Sequence, residues 1–208
     1  MNRRDFPILF ILLLSLASCS RKQEAVFPHP PITPAWALGH IVWEDEHNTQ
    51  DAALSLVDGY LQRDIPVSGI IIDSPWATSY NDFHWDTARY PEPQDMLDHF
   101  RIRDVHTLLW LTGCMNHTES DDDCPVVESA NYREAVSKGY AVNGGEESHW
   151  WKGTGVHLDF TNPEAVQWWY AQVDRVMAPG VDGFKVDQGE IFFGDSLRTS
   201  IGTLSNHQ

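Results

Sequence analysis

The residues best suited to chemistry stand in the stretch Gly180-Val-Asp-Gly-Phe-Lys-Val-Asp-Gln-Gly-Glu190. Residues 181–186 form a short apolar run holding one lysine, closed by the carboxylate of Asp187 and then by Gly189. Runs of this length, β-branched and aromatic and bounded by turn residues, make buried parallel strands. In a parallel α/β fold, ligands bind at the carboxyl ends of the strands, so Asp187 is a catalytic candidate. Position alone leaves a second reading open, in which Asp187 caps a helix or completes a turn. Lys185 lies two residues earlier and so on the same face of the strand. Its ammonium could keep Asp187 ionised or bind a substrate hydroxyl; equally, it could pair with a neighbouring carboxylate such as Asp73 or Glu190. Asp73 is itself a strand-end carboxylate, closing Ser68-Gly-Ile-Ile-Ile-Asp73.

The elements that would position these residues can be read along the chain. Residues 36–43 read as a first strand, followed by helical spacing through Ala52, Leu54, Val57 and Leu61 that stops before Pro66. After the strand ending at Asp73 comes a loop rich in rings: Trp76, Tyr80, Phe83, Trp85 and Tyr90. Pro91 and Pro93 introduce a helix over residues 94–101, with Met96, Leu97 and Phe100 on one face, and residues 105–112 form a third strand. Residues 113–154 show no long periodicity; a loop of that length in a compact domain serves as a lid or as a cleft wall. Residues 156–160 read as a short strand. Thr161-Asn-Pro-Glu164 reads as a helix start with Thr161 capping, and the helix runs to Met177, burying Val166, Trp169, Tyr170, Val173 and Val176. A polar tail follows Glu190. Strand and helix alternate as in repeated parallel crossovers, so the expected fold is α/β: part of a (β/α)8 TIM barrel, about its first four strands, with the site at their carboxyl ends.

Length and charge narrow the function. The chain has 208 residues, enough for one domain with a proper core. Its formal charge is −16, which opposes phosphate backbones and anionic lipid surfaces, so no nucleic-acid partner is expected. Nine tryptophans, nine phenylalanines and six tyrosines can fill the core, the favoured reading for any single ring, and rings in excess of core needs serve as platforms for sugars or other flat apolar faces. Residues 1–19 read as a lipoprotein-type export signal. Arg3 and Arg4 precede a short apolar run, and Leu16-Ala-Ser-Cys19 resembles a lipobox in which Cys19 is lipidated. A proline-containing polar tether, residues 20–33, would hold a domain of residues 34–208 off a bacterial membrane, in the periplasm or at the cell surface. Cys114 and Cys124 then remain as a disulfide across a short loop or as two thiols. No His or Cys stands near them at zinc-ligand spacing, so no metal is expected.

Several ordered motifs resemble glycoside hydrolase family 31, the retaining α-glycosidases. They are Ile72-Asp73 ahead of Asp82-Phe83, Leu109-Trp110-Leu111, Trp150-Trp151, Asp159-Phe160-Thr161-Asn162-Pro163 and Gly183-Phe-Lys-Val-Asp-Gln-Gly-Glu190. The resemblance implies that Asp187 is the catalytic nucleophile at the end of the fourth barrel strand. It implies that Asp73 binds sugar hydroxyls, that Trp110 lines the same subsite, and that Trp151, Lys185 and Glu190 contact substrate. It also places Asp159-Phe160 in the long third loop and not in a barrel strand. The Phe-Lys-x-Asp-x-Gly-Glu form, with Trp-Trp-x-Gly-x-Gly at 150–155, resembles the α-xylosidase, α-galactosidase and sulfoquinovosidase branches. An oligosaccharide or α-glycoside is the implied substrate, and no cofactor is implied. The family's second carboxyl, the acid/base aspartate, lies on a later strand, and no residue in 191–208 fits that role. The expectation is therefore part of an enzyme lacking half its catalytic pair, with a tethered carbohydrate-binding protein as the alternative.

Overall fold

A computed structural model describes residues 32–119, 128–187 and 196–205. In chain order the elements are β1 (Ile41–Glu44), α1 (Gln50–Leu61), β2 (Gly69–Ile72), α2 (Pro93–Arg101) and β3 (His106–Leu111). An excursion follows, consisting of β4 (Cys114–Glu119), α3 (Ala130–Lys138), β5 (Ser148–Trp150) and β6 (Gly153–His157). The chain then returns through α4 (Pro163–Met177) to β7 (Gly183–Val186) and ends its described part in a hairpin, β8 (Leu197–Thr199) and β9 (Gly202–Leu204).

β1, β2, β3 and β7 form one parallel sheet in that order. Its register pairs Trp43 with Ile71, Ile71 with Leu108 and Trp110 with Lys185. Because side chains alternate along a strand, that register sorts the sheet into two faces. Val42, Ile70, Ile72 and Leu109 point to the helices and are buried with Ala53, Val57, Met96, Leu97 and Phe100 in the core. Trp43, Asp73, Trp110, Lys185 and Asp187 have the opposite parity and share the other face. Of the helices on this face, α1 packs on β1 and β2 and α2 on β3, and each starts where the sequence provides for it. Thr49 caps α1 by accepting from the Ala52 amide, and Pro93 opens α2 where its missing N–H costs nothing.

Five expectations need correction. Residues 35–38 wind into a 3-10 turn, so β1 begins only at Ile41. The turn brings Gly39 against Ser68, where a Cβ would lie 1.9 Å from the hydroxyl, and stacks Trp36 on His106 at 4.2 Å. The second correction concerns 113–154, which hold α3 and most of an antiparallel sheet of order β4-β6-β5. That sheet lacks an apolar alternation because its buried positions include Asn116 and glycines. A Cβ on Gly155 would sit 2.1 Å from the Met115 carbonyl oxygen, so the β4–β6 approach itself demands glycine. Within that sheet, the short strand expected over 156–160 lies instead at Gly153–His157 and pairs outside the parallel sheet.

Third, Asn162 rather than Thr161 caps α4, accepting from the amides of Glu164 and Ala165. Thr161 instead donates its hydroxyl to Asp159 at 2.5 Å. Fourth, the buried stripe of α4 is Ala165, Trp168, Trp169, Gln172 and Val176. Trp169 packs edge-on against Phe83 at 5.1 Å, which turns Tyr170 outward, 62% exposed. Fifth, the polar tail contains the β8–β9 hairpin. It is fastened by the Ser200 amide to Asp159 at 2.7 Å and by Arg198 to the Asn143 carbonyl at 2.7 Å.

Candidate active site

The parallel register brings the strand-end residues into one cluster. Asp73 follows β2, and its backbone N–H donates to the Glu44 carbonyl at 3.1 Å, continuing the ladder one residue past β1. Asp187 does the same after β7, donating to the Leu111 carbonyl at 2.8 Å. The two carboxylates therefore stand on one rim, held by backbone bonds of the sheet itself. Between them reaches Lys185. Its ammonium lies 2.7 Å from Asp73 Oδ2 and 3.7 Å from Asp187 Oδ2. Of the partners the sequence left open for this lysine, the geometry hydrogen-bonds it to Asp73 and leaves it within ion-pair reach of Asp187.

Each carboxylate also receives an indole N–H. Trp43 donates to Asp73 Oδ2 at 2.6 Å and Trp110 to Asp187 Oδ2 at 3.0 Å. The other oxygen of Asp73 accepts from the Ser74 amide at 2.8 Å. Asp73 is buried, its side chain 8% exposed, whereas that of Asp187 is 38% exposed. The environment thus separates two chemically identical groups: one is buried among donors, and the other is partly exposed.

A wall of rings rises beside them. Trp110 is buried beneath Tyr80, whose ring lies 5.6 Å from it and 5.4 Å from Trp150. Trp150, at the end of β5, is fixed by its N–H to Asn116 at 2.7 Å and meets Trp151 at 5.9 Å. Trp151 is 58% exposed and carries the Lys152 ammonium 4.5 Å above its ring. The antiparallel excursion is therefore what presents the exposed ring that the sequence put forward for substrate contact. Its glycines, read from the sequence only as a motif, are what let β4 and β6 close.

The sequence reading missed two residues on this rim. Trp43 was only the last residue of a strand, yet it touches both Asp73 and Lys185. Asp45 has the same parity, and partial loss of hydration, then the Asp73 carboxylate, push its carboxyl above the ordinary range against the pull of Lys185. Counting alternate residues from Asp73 across a paired strand would have found both. Glu190, Cys19 and Cys124 lie outside the described residues. Cys114 is buried, its sulfur 3.5 Å from Asn116 Oδ1. Among the described residues, no group of three or more His, Cys, Asp or Glu side chains could hold a metal.

The model of the TIM-barrel domain of glycosyl hydrolases family 31 matches residues 30–207. The chain belongs to glycosyl hydrolase family 31. Similar curated proteins include the alpha-glucosidase of Saccharolobus solfataricus, 27% identical over 163 residues, which cover 77% of this chain and 22% of that protein. The alpha-xylosidase of Lactiplantibacillus pentosus is 28% identical over 169 residues, covering 76% and 21%. The chain thus spans about a fifth of the length of the curated relatives it matches. Solved structures share this fold. A cycloalternan-degrading enzyme from Trueperella pyogenes, solved with a covalent intermediate, superposes with a TM-score of 0.73 at 23% identity, over 84% of this chain and 27% of that one. A dextranase of Flavobacterium johnsoniae complexed with glucose gives 0.70 at 23% identity, over 81% and 21%.

Proposed function

We propose that this chain carries the nucleophile half of a retaining α-glycoside hydrolase, with Asp187 attacking the anomeric carbon. The observation that carries the reading is the unequal surroundings of the two rim carboxylates. Asp187 Oδ2 is oriented by one indole N–H and lies near, but not on, an ammonium. Its partial exposure would let a sugar reach it from the side of the ring wall. Asp73 instead meets donors at both oxygens, and a proton placed there would face other protons. That suits a fixed acceptor for sugar hydroxyls and does not suit the acid that protonates a leaving group.

The proposed chemistry balances as a double displacement. An Asp187 oxygen forms a bond to the anomeric carbon as the glycosidic C–O bond breaks, and the leaving oxygen takes a proton from a second carboxyl about 5–5.5 Å from the first. Water then adds to the same carbon and gives its proton to that second carboxylate. The Asp187 ester bond breaks and the sugar leaves with retained configuration. The acid/base group belongs, by the family resemblance, to a later strand. The covalent intermediate of the Trueperella relative supports the covalent step here, and the alpha-glucosidase and alpha-xylosidase relatives support α-linked glucose or xylose as the sugar.

A 5-fluoro α-glycosyl fluoride tests the nucleophile without any need of acid assistance, because fluoride leaves unprotonated and the fluorinated ester turns over slowly. Mass spectrometry should find one glycosyl group per chain, on the peptide containing Asp187, and none in Asp187→Ala. A sugar that binds measurably with no such ester would overturn the hydrolase reading in favour of a carbohydrate-binding protein.

A further inference from the structure

We propose that Trp43 is a positioning residue of this site, holding the Lys185 ammonium on Asp73 and so keeping it from closing on Asp187. The inference rests on the reading of Asp187 as nucleophile.

Trp43 ends up half exposed, at 52%, on the sheet face that carries the rim residues, so core filling does not account for it. Two of its features are in use. The indole N–H meets Asp73 Oδ2 at 2.6 Å, and the ring face lies 4.3 Å from Lys185 Nζ. Lys185 donates to that same Oδ2 at 2.7 Å. Indole, carboxylate and ammonium therefore close a triangle in which each member touches the other two. Asp73 cannot swing out of it, because its second oxygen is bound to the Ser74 amide.

Asp187 stands outside the triangle and competes for the same cation from 3.7 Å. A direct bond from the ammonium would occupy a lone pair of Asp187 that must attack carbon, and would weaken the nucleophile. A cation over a tryptophan face is favoured by roughly twofold to thirtyfold, depending on how dry the contact is. That range is wide enough to decide between two carboxylates of equal charge. Asp45, Glu44 and Lys152 also lie within electrostatic reach of this cluster, and the variants below leave them in place.

The test is the titration of the Asp73 and Asp187 carboxyl carbons by NMR, assigned with the Asp→Asn variants at each position. In Trp43→Leu, which removes ring and N–H together, the Asp73 midpoint should rise and the Asp187 midpoint should fall, each by about one pH unit. In Trp43→Phe, which keeps a ring face and loses only the N–H, Asp73 should rise while Asp187 stays in place. An Asp187 midpoint that is unmoved or raised in the leucine variant overturns the role. Should that variant fail to fold, the phenylalanine variant decides alone: a fall at Asp187 there overturns it. The fluoride reads the nucleophile separately. Normal labelling with unmoved titrations removes Trp43 alone, and moved titrations without labelling remove the nucleophile alone.

Discussion

One lysine serving two aspartates sets the terms for stability at the single-residue scale. Asp73 is buried and charged, and of its three donors only Lys185 brings a full positive charge. Lys185→Met should therefore destabilise the fold by about 1–3 kcal/mol, the cost of leaving a buried carboxylate without its counter-charge. Urea unfolding would measure it. Asp73→Asn in the same background should recover part of the loss, since the amide needs no cation. A double variant no more stable than Lys185→Met would mean the lysine acts elsewhere. The sequence made the two carboxylates and the lysine legible, because strand-end position and a spacing of two are local facts. Trp43 was not legible by the same route. Its partners lie 30 and 142 positions away, and only the β1–β2, β2–β3 and β3–β7 pairings turn those separations into contact.

Among the elements, β4, β5 and β6 were the least visible in the sequence and are the ones that build the ring wall. Period-2 alternation fails where a strand buries polar side chains and needs glycine opposite its neighbour. Asn116 is fully buried and satisfied by the Trp150 N–H and the Lys152 carbonyl, so a residue that reads as loop is here part of the interior. α4 was legible as a helix but not in its rotation, since two adjacent stripes of rings were available and Phe83 selected one. This sheet also carries a pH signature. His157, paired opposite Cys114, is buried, and loss of hydration lowers its pKa from 6.5 to about 4. The folded state thus keeps the ring neutral while the unfolded chain takes up a proton below pH 6.5. Above that pH the histidine costs nothing; as pH falls from 6.5 to about 4, stability is lost. At pH 5 the loss should be about 2 kcal/mol relative to pH 7.5. Denaturant unfolding at both pH values should show a smaller drop in His157→Leu, and an equal drop would assign the pH sensitivity to other groups.

For the whole molecule, the question is what this arrangement of strands can do unaided. The parallel crossover pattern was readable because each strand, helix and turn signal is local, and the order β1-β2-β3-β7 follows from it once the excursion is set aside. Among the described residues, β1 and β7 are the outer strands of that sheet, and the face bearing the site sets buried Asp73 and Trp110 beside partly exposed Trp43, Lys185 and Asp187. A retaining mechanism needs a carboxyl that carries a proton in one step and lacks it in the next. Asp187 must be ionised to attack, and Asp73 is surrounded by donors. The 208-residue polypeptide is therefore expected to accept glycosyl from the activated fluoride but to show no turnover of aryl α-glycosides with poor leaving groups. The contrast is diagnostic, because misfolding would abolish both reactions, whereas the want of a competent acid among the described residues abolishes only one. Asp187-dependent release of a poor leaving group would contradict the argument. It would direct attention to Asp45, whose raised pKa and place on the same face make it the described carboxyl best able to hold a proton there. Loss of that turnover in Asp45→Asn, with labelling of Asp187 intact, would then identify the acid.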